Sequence, residues 1–218
     1  MRKNLDFMMG KLGRFGIVLV FLMFCGCADK EDPYIYEKYV DEIIHSFAAD
    51  MKKEYGLVCD ESGGRMPHDV EQISISFCCY RRATVEEARE LFVTVTEKFI
   101  DKINKHEKIR PFLREYPFTF RPADESFTWC RADVSIAFYK KEGSHYLDES
   151  VTLVGPARDG NIAYRKSELQ RRKLPDIIEL DGSVEVGDTI NAERYVTFMR
   201  EYYEEAIRIV HEERENKI

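Results

Sequence analysis

Ile73-Ser74-Ile75-Ser76-Phe77-Cys78-Cys79 sets apolar side chains at every second position, with Ser74, Ser76 and Cys78 between them. That period of two is the mark of a strand with one face buried and the other wet. Immediately after it, Thr84 and Glu87 have the spacing of a capping box, in which each residue's side chain satisfies the other's backbone N–H. The helix that follows carries Val85, Ala88, Phe92, Val95, Phe99 and Ile103 on one face, with Leu91 and Ile100 beside them, and is expected to end before Pro111.

Upstream, Asp32-Pro33 opens another helix, an Asp cap followed by Pro at the first helical position. Tyr36, Val40, Ile43, Ile44, Phe47, Met51 and Tyr55 recur at spacings of three and four, and Gly56 is placed to end the helix with Leu57 behind it. Glu61-Ser62-Gly63-Gly64 reads as a turn. Downstream, Pro111, Pro117 and Pro122 exclude a central strand over 111–125, where Phe112, Tyr116, Phe118 and Phe120 suggest a linker pressed onto the domain. Strands are expected over 127–139, 149–155 and 161–166, with Asp159-Gly160 as a hairpin turn. Ile177, Ile178 and Leu180 suggest a short strand. A last helix is expected from near Asn191, aligning Tyr195, Phe198, Met199, Tyr202, Ala206, Ile209 and Val210. The order predicts an α+β fold, a mainly antiparallel sheet of about four strands with about three amphipathic helices on one face.

At the other end of the chain, Arg2, Lys3, Lys11 and Arg14 precede the apolar run Ile17-Val18-Leu19-Val20-Phe21-Leu22-Met23-Phe24. A basic segment and a short apolar run read as a secretory signal; eight apolar residues fall short of the roughly 20 that span a bilayer. The run closes on Phe24-Cys25-Gly26-Cys27, which resembles the lipobox of bacterial lipoproteins, with Phe24 where that family usually has Leu and Cys25 where it has Ala or Ser. The resemblance implies cleavage before Cys27, a diacylglyceryl group on its thiol and a further acyl chain, such as palmitate, on the new amino terminus. It also implies an address: the bacterial cell envelope, lipid-anchored to the inner or outer membrane, with the domain in the periplasm or on the surface. Several acyl chains make such anchoring stable, because each buried CH₂ contributes about 0.8 kcal/mol. On this reading 1–26 is the signal, 27–32 an acylated tether and 33–218 a single globular domain.

Residues 1–26 hold four of the 33 basic and one of the 40 acidic residues, which leaves the rest of the chain at a net charge of about −10. A body of that sign is repelled by nucleic acid and by anionic lipid. Beyond Cys27 lie Cys59, Cys78, Cys79 and Cys130. Four thiols allow three pairings in an export compartment; buried free thiols are the expected state, with one bridge from Cys59 or Cys130 to a strand cysteine as the alternative. Cys78 and Cys79 are adjacent, hence on opposite faces of their strand.

No spacing for a phosphate loop, a zincin or a nucleophile elbow occurs. Cys59, His68 and Asp69 supply the residue types of a thiol nucleophile, base and orienting acid. His145, Asp148 and Glu149 supply oxygen and nitrogen ligands without the spacing that fixes a metal. Arg165, Lys166, Arg171, Arg172 and Lys173 are the densest basic cluster. Solvated surface accounts for each of these without special chemistry, and no cofactor is implied. The expected role is therefore a non-catalytic binding or assembly module, with membrane lipid reached through acylated Cys27 and an envelope protein as partner. The alternative is a membrane-tethered hydrolase or redox enzyme using a loop cysteine or histidine.

Overall fold

The computed structural model describes residues 34–121, 130–157, 159–173, 177–178, 184–185 and 189–217, with backbone alone for those within 171–192. The signal, Cys27, the Asp32-Pro33 cap, Pro122, Leu180 and Asp181-Gly182 lie outside them. Chain order is α1 (Ile35–Tyr55), β1 (Val58–Arg65), β2 (Gln72–Cys79), α2 (Val85–Lys105), a 3₁₀ turn (Arg110–Phe112), β3 (Ala132–Phe138), β4 (Leu153–Pro156), β5 (Ile162–Lys173), β6 (Ile177–Ile178), β7 (Val184–Glu185), β8 (Thr189–Glu201) and α3 (Tyr203–Glu215). The fold is α+β: three helices and an open six-stranded sheet in the order β1-β2-β3-β4-β5-β8, with β6 and β7 as a separate small hairpin. All pairings in the large sheet are antiparallel except β2 with β3. Tyr36–Ile218 clusters as one compact unit. Among the described residues, no helix is long and apolar enough to cross a membrane.

The period-two segment behaves as its pattern demands. Ile73, Ile75, Phe77 and Cys79 are buried, in register with Ala132, Val134, Ile136 and Phe138 of β3, and the residues between them are half-buried. The helices cover this apolar face. Phe47 of α1 meets Phe77 edge-on at 6.1 Å and Phe99 of α2 at 4.8 Å; Tyr203 of α3 stacks on Phe120 at 3.9 Å and stands perpendicular to Phe92 of α2. Phe118 and Phe120 are buried, so the described part of the proline-rich linker is indeed pressed against the domain. The capping box forms as read. Gly56 ends α1 at φ +69°, its N–H on the Lys52 carbonyl and Leu57 fully buried behind it, as in a left-handed glycine cap.

Three expectations need correction. The sheet has six strands rather than about four, although it is mainly antiparallel as expected, with one parallel ladder. Glu61-Ser62-Gly63-Gly64 is not a turn but the body of β1, a mostly exposed edge strand with a bulge at Asp60; Gly64 lets it lie close to β2, since a Cβ there would stand 2.4 Å from the Gln72 carbonyl oxygen. The chain reverses instead over 66–71. The expected helix from Asn191 is strand β8, and the helix begins only at Tyr203. Tyr195-Val196-Thr197-Phe198 is rich in β-branched and aromatic residues, and β8 pairs with β5 along the whole length of both strands.

Candidate functional site

On the helix side, the first half of α2, the C-terminus of α1 and the last turn of α3 leave a cleft of about 560 Å³ between them. Helical spacing puts Glu87, Glu90, Leu91 and Thr94 on one stripe of α2, facing Tyr55 from α1, Arg81 from the β2–α2 connection and Arg214 from α3. Two of the four charged side chains are already committed. Glu87 accepts from the Thr84 N–H at 2.9 Å in the capping box, and Arg214 donates to the Thr94 hydroxyl and lies 3.9 Å from Glu97. Glu90 contributes its backbone carbonyl to the Thr94 hydroxyl at 2.6 Å. Its half-buried carboxylate and the Arg81 guanidinium enter no ion pair among the described residues. Arg81 lies near the Cys79 sulfur, where it partly offsets the rise that burial imposes on that thiol.

The opposite face of the sheet is floored by small side chains: Ser74, Ser76, Asp133, Ser135, Ala137 and Gly155. Ser76 and Ser135 share a hydrogen bond of 2.8 Å, and burial lifts the Asp133 carboxyl above its usual range. At one end of the sheet an aromatic row crosses from β2 to β8. Tyr80 lies 6.2 Å from Tyr139, which stacks on His145 at 4.3 Å; His145 Nε2 is 2.8 Å from the Tyr195 hydroxyl. Burial raises the phenol pKa of both Tyr139 and Tyr195, so these groups stay protonated.

The sequence-derived candidates do not converge. Cys59 opposes Phe77 near the start of β1, whereas His68 and Asp69 lie beyond Arg65 at its far end, about 20 Å away at ~3.3 Å per residue. His145 belongs to the aromatic row, Asp148 is held by the Ser150 N–H and Arg82 at 2.8 Å each, and Glu149 pairs with Lys166. Among the described residues, no three acidic, histidine or cysteine side chains are grouped to hold a metal. Of the basic cluster, Lys166 is neutralised by Glu149 and Glu168, and Arg165 donates to the Pro156 carbonyl.

Cys59, Cys78, Cys79 and Cys130 are free thiols. Cys130 precedes β3 at the end opposite Cys79, roughly 20 Å or more along the strands, and Cys59 and Cys78 face opposite sides of the sheet. Burial raises the pKa of all four, Cys130 to about 12. A thiol so disposed makes little thiolate, the form that attacks.

Two buried ion clusters serve the fold. Arg89 of α2 clamps Glu201 at the end of β8 with Nε at 2.9 and 3.1 Å from its two oxygens, and the Tyr164 hydroxyl donates to the same carboxylate. Arg131, 1% exposed, reaches Glu115 at 2.9 Å over the Phe118 ring, beside Glu71, which is held by Arg65 and Arg114. The cleft residues had no signal of their own: charges on the exposed side of an amphipathic helix read as solvated surface, and Arg81 and Arg214 join them only through the tertiary fold.

The fold and cleft define an α+β domain with one helix-covered sheet face and a small mixed-charge recess. Compared with known proteins, the chain matches no family model, no curated protein and no solved structure.

Proposed function

We propose that this chain is an acylated envelope protein, held at a lipid boundary through Cys27, whose domain is a non-catalytic binding or assembly module. The observation that carries the binding half is the cleft between α1, α2 and α3, lined by charges of both signs with no cysteine or histidine among the lining residues. The raised thiols and the distance from Cys59 to His68 weigh against a hydrolase or redox enzyme built on a cysteine and a histidine. What supports the anchor is the basic segment, the apolar run 17–24 and Phe24-Cys25-Gly26-Cys27.

The test is metabolic labelling with a palmitate analogue in wild type and Cys27→Ala, followed by crosslinking and pulldown from the membrane fraction. Label in wild type alone, with a crosslinked partner, is the expected result. Equal label in both, or none in either, overturns the anchor.

A further inference from the structure

We propose that the cleft between α1, α2 and α3 binds a small zwitterion with an apolar side chain, of the class of a free amino acid or dipeptide. This rests on the reading of the domain as a binding module and names its ligand. A recess of about 560 Å³ is in the size range of small-molecule sites, and its chemistry is mixed in sign. An anion alone would meet the carboxylates of Glu87 and Glu90, and a cation alone would meet Arg81 and Arg214. Only a ligand carrying both charges is complementary to the whole lining.

The intramolecular contacts narrow the assignment. Glu87 caps α2 and Arg214 is tied to Thr94 and Glu97, which leaves Glu90 and Arg81 facing one recess without a charged partner among the described residues. The ligand ammonium goes to the Glu90 carboxylate and its carboxylate to Arg81, whose planar fork suits bidentate recognition. Leu91, 5% exposed, and the ring of Tyr55 supply the apolar wall between them. No bond is made or broken.

The test is isothermal titration calorimetry of the full-length protein in detergent micelles with L-leucine and L-leucyl-L-leucine, and with N-acetyl-leucine and leucinamide as single-charge controls. The expected result is binding of a doubly charged probe at least tenfold tighter than either control; the tighter of leucine and dileucine identifies the source. Glu90→Gln and Arg81→Gln should each weaken the zwitterion at least tenfold with circular dichroism unchanged. Glu90→Gln should not weaken N-acetyl-leucine and should bring its affinity closer to that of the zwitterion. No heat with either zwitterion at millimolar concentration, or equal affinity for zwitterion and controls, overturns the proposal. A crosslinked partner found while both zwitterions fail to bind would remove this ligand and leave the binding-module reading standing. Cys27→Ala should bind the zwitterion as wild type does, which separates the cleft from the anchor.

Discussion

Replacing Arg89 with methionine should be among the most damaging single changes in the domain that leave its apolar core intact. The Arg89 and Glu201 side chains are 10% and 8% exposed. Burial depresses the guanidinium pKa, and the Glu201 carboxylate, with smaller contributions from Tyr164 and Glu86, more than restores it, for a net rise. Arg89→Met keeps the stem but leaves a buried carboxylate with the Tyr164 hydroxyl as its remaining donor. Removing one partner of a buried pair costs about 3–5 kcal/mol. With a urea m-value near the upper end of ~1–3 kcal/mol/M for small domains, the unfolding midpoint should fall by about 1–2 M. Arg89→Met with Glu201→Gln removes both charges and should recover most of that loss, because the Tyr164 hydroxyl still has an acceptor. Urea titration followed by far-ultraviolet circular dichroism on the four proteins of the cycle measures the coupling. A loss below ~1 kcal/mol for Arg89→Met, or a double variant whose loss equals the sum of the singles, would refute a clamp between helix layer and sheet.

Other substitutions probe other parts of the molecule. Burial lifts the Asp133 carboxyl above its ordinary 3.8, so the folded state holds that proton more tightly than the unfolded chain does. Its contribution is most favourable below the ordinary value and is lost as pH rises through the raised one. Asp133→Asn should therefore stabilise the protein at pH 7, with the gain vanishing near pH 3.8 in a urea series; a pH-independent difference would contradict this. Gly64→Ala, whose Cβ would meet the Gln72 carbonyl at 2.4 Å, should lower the melting temperature, while Gly63→Ala, with 3.6 Å to the Ser74 hydroxyl, should not; equal melting temperatures would sink the account of how β1 docks. Under native conditions at pH 8, maleimide labelling read by mass spectrometry should spare Cys130 and Cys79 and modify Cys59 and Cys78 slowly. Fast labelling of Cys130 would contradict its burial.

Where side chains alternate or recur strongly, the elements could be read before any fold was known. α1 and α2 carry broad apolar stripes, β2 and β3 alternate cleanly because one face is packed, and Asp159-Gly160 forms its hairpin, with Gly160 at φ +75° and the Asn161 N–H on the Asp159 side chain. β1 escaped because an edge strand with little buried surface need not alternate, and two glycines imitate a turn. β8 escaped for a subtler reason. Its register with β5 jumps between Met199 and Thr197, leaving Phe198 as an extra residue. A bulge reverses which side later residues face, so the strand's period of two is broken where a helical spacing can be fitted across it. The Arg89–Glu201 clamp and the mixed-charge cleft were invisible for another reason: each joins residues more than a hundred positions apart.

The lone parallel seam, β2 against β3, is the one ladder in the main sheet whose strands are separated by a whole helix and a long connection. Every other ladder joins strands that are neighbours along the chain or closes within some forty residues of itself. The architecture is thus two locally wired halves, one ending after α2 and the other starting before β3, joined by contacts distant in sequence. Cutting the backbone in the 106–110 stretch would give two pieces, each with its own antiparallel strands, whose reunion should report on that seam together with the contacts of α2 to β8 and α3 that cross the same cut.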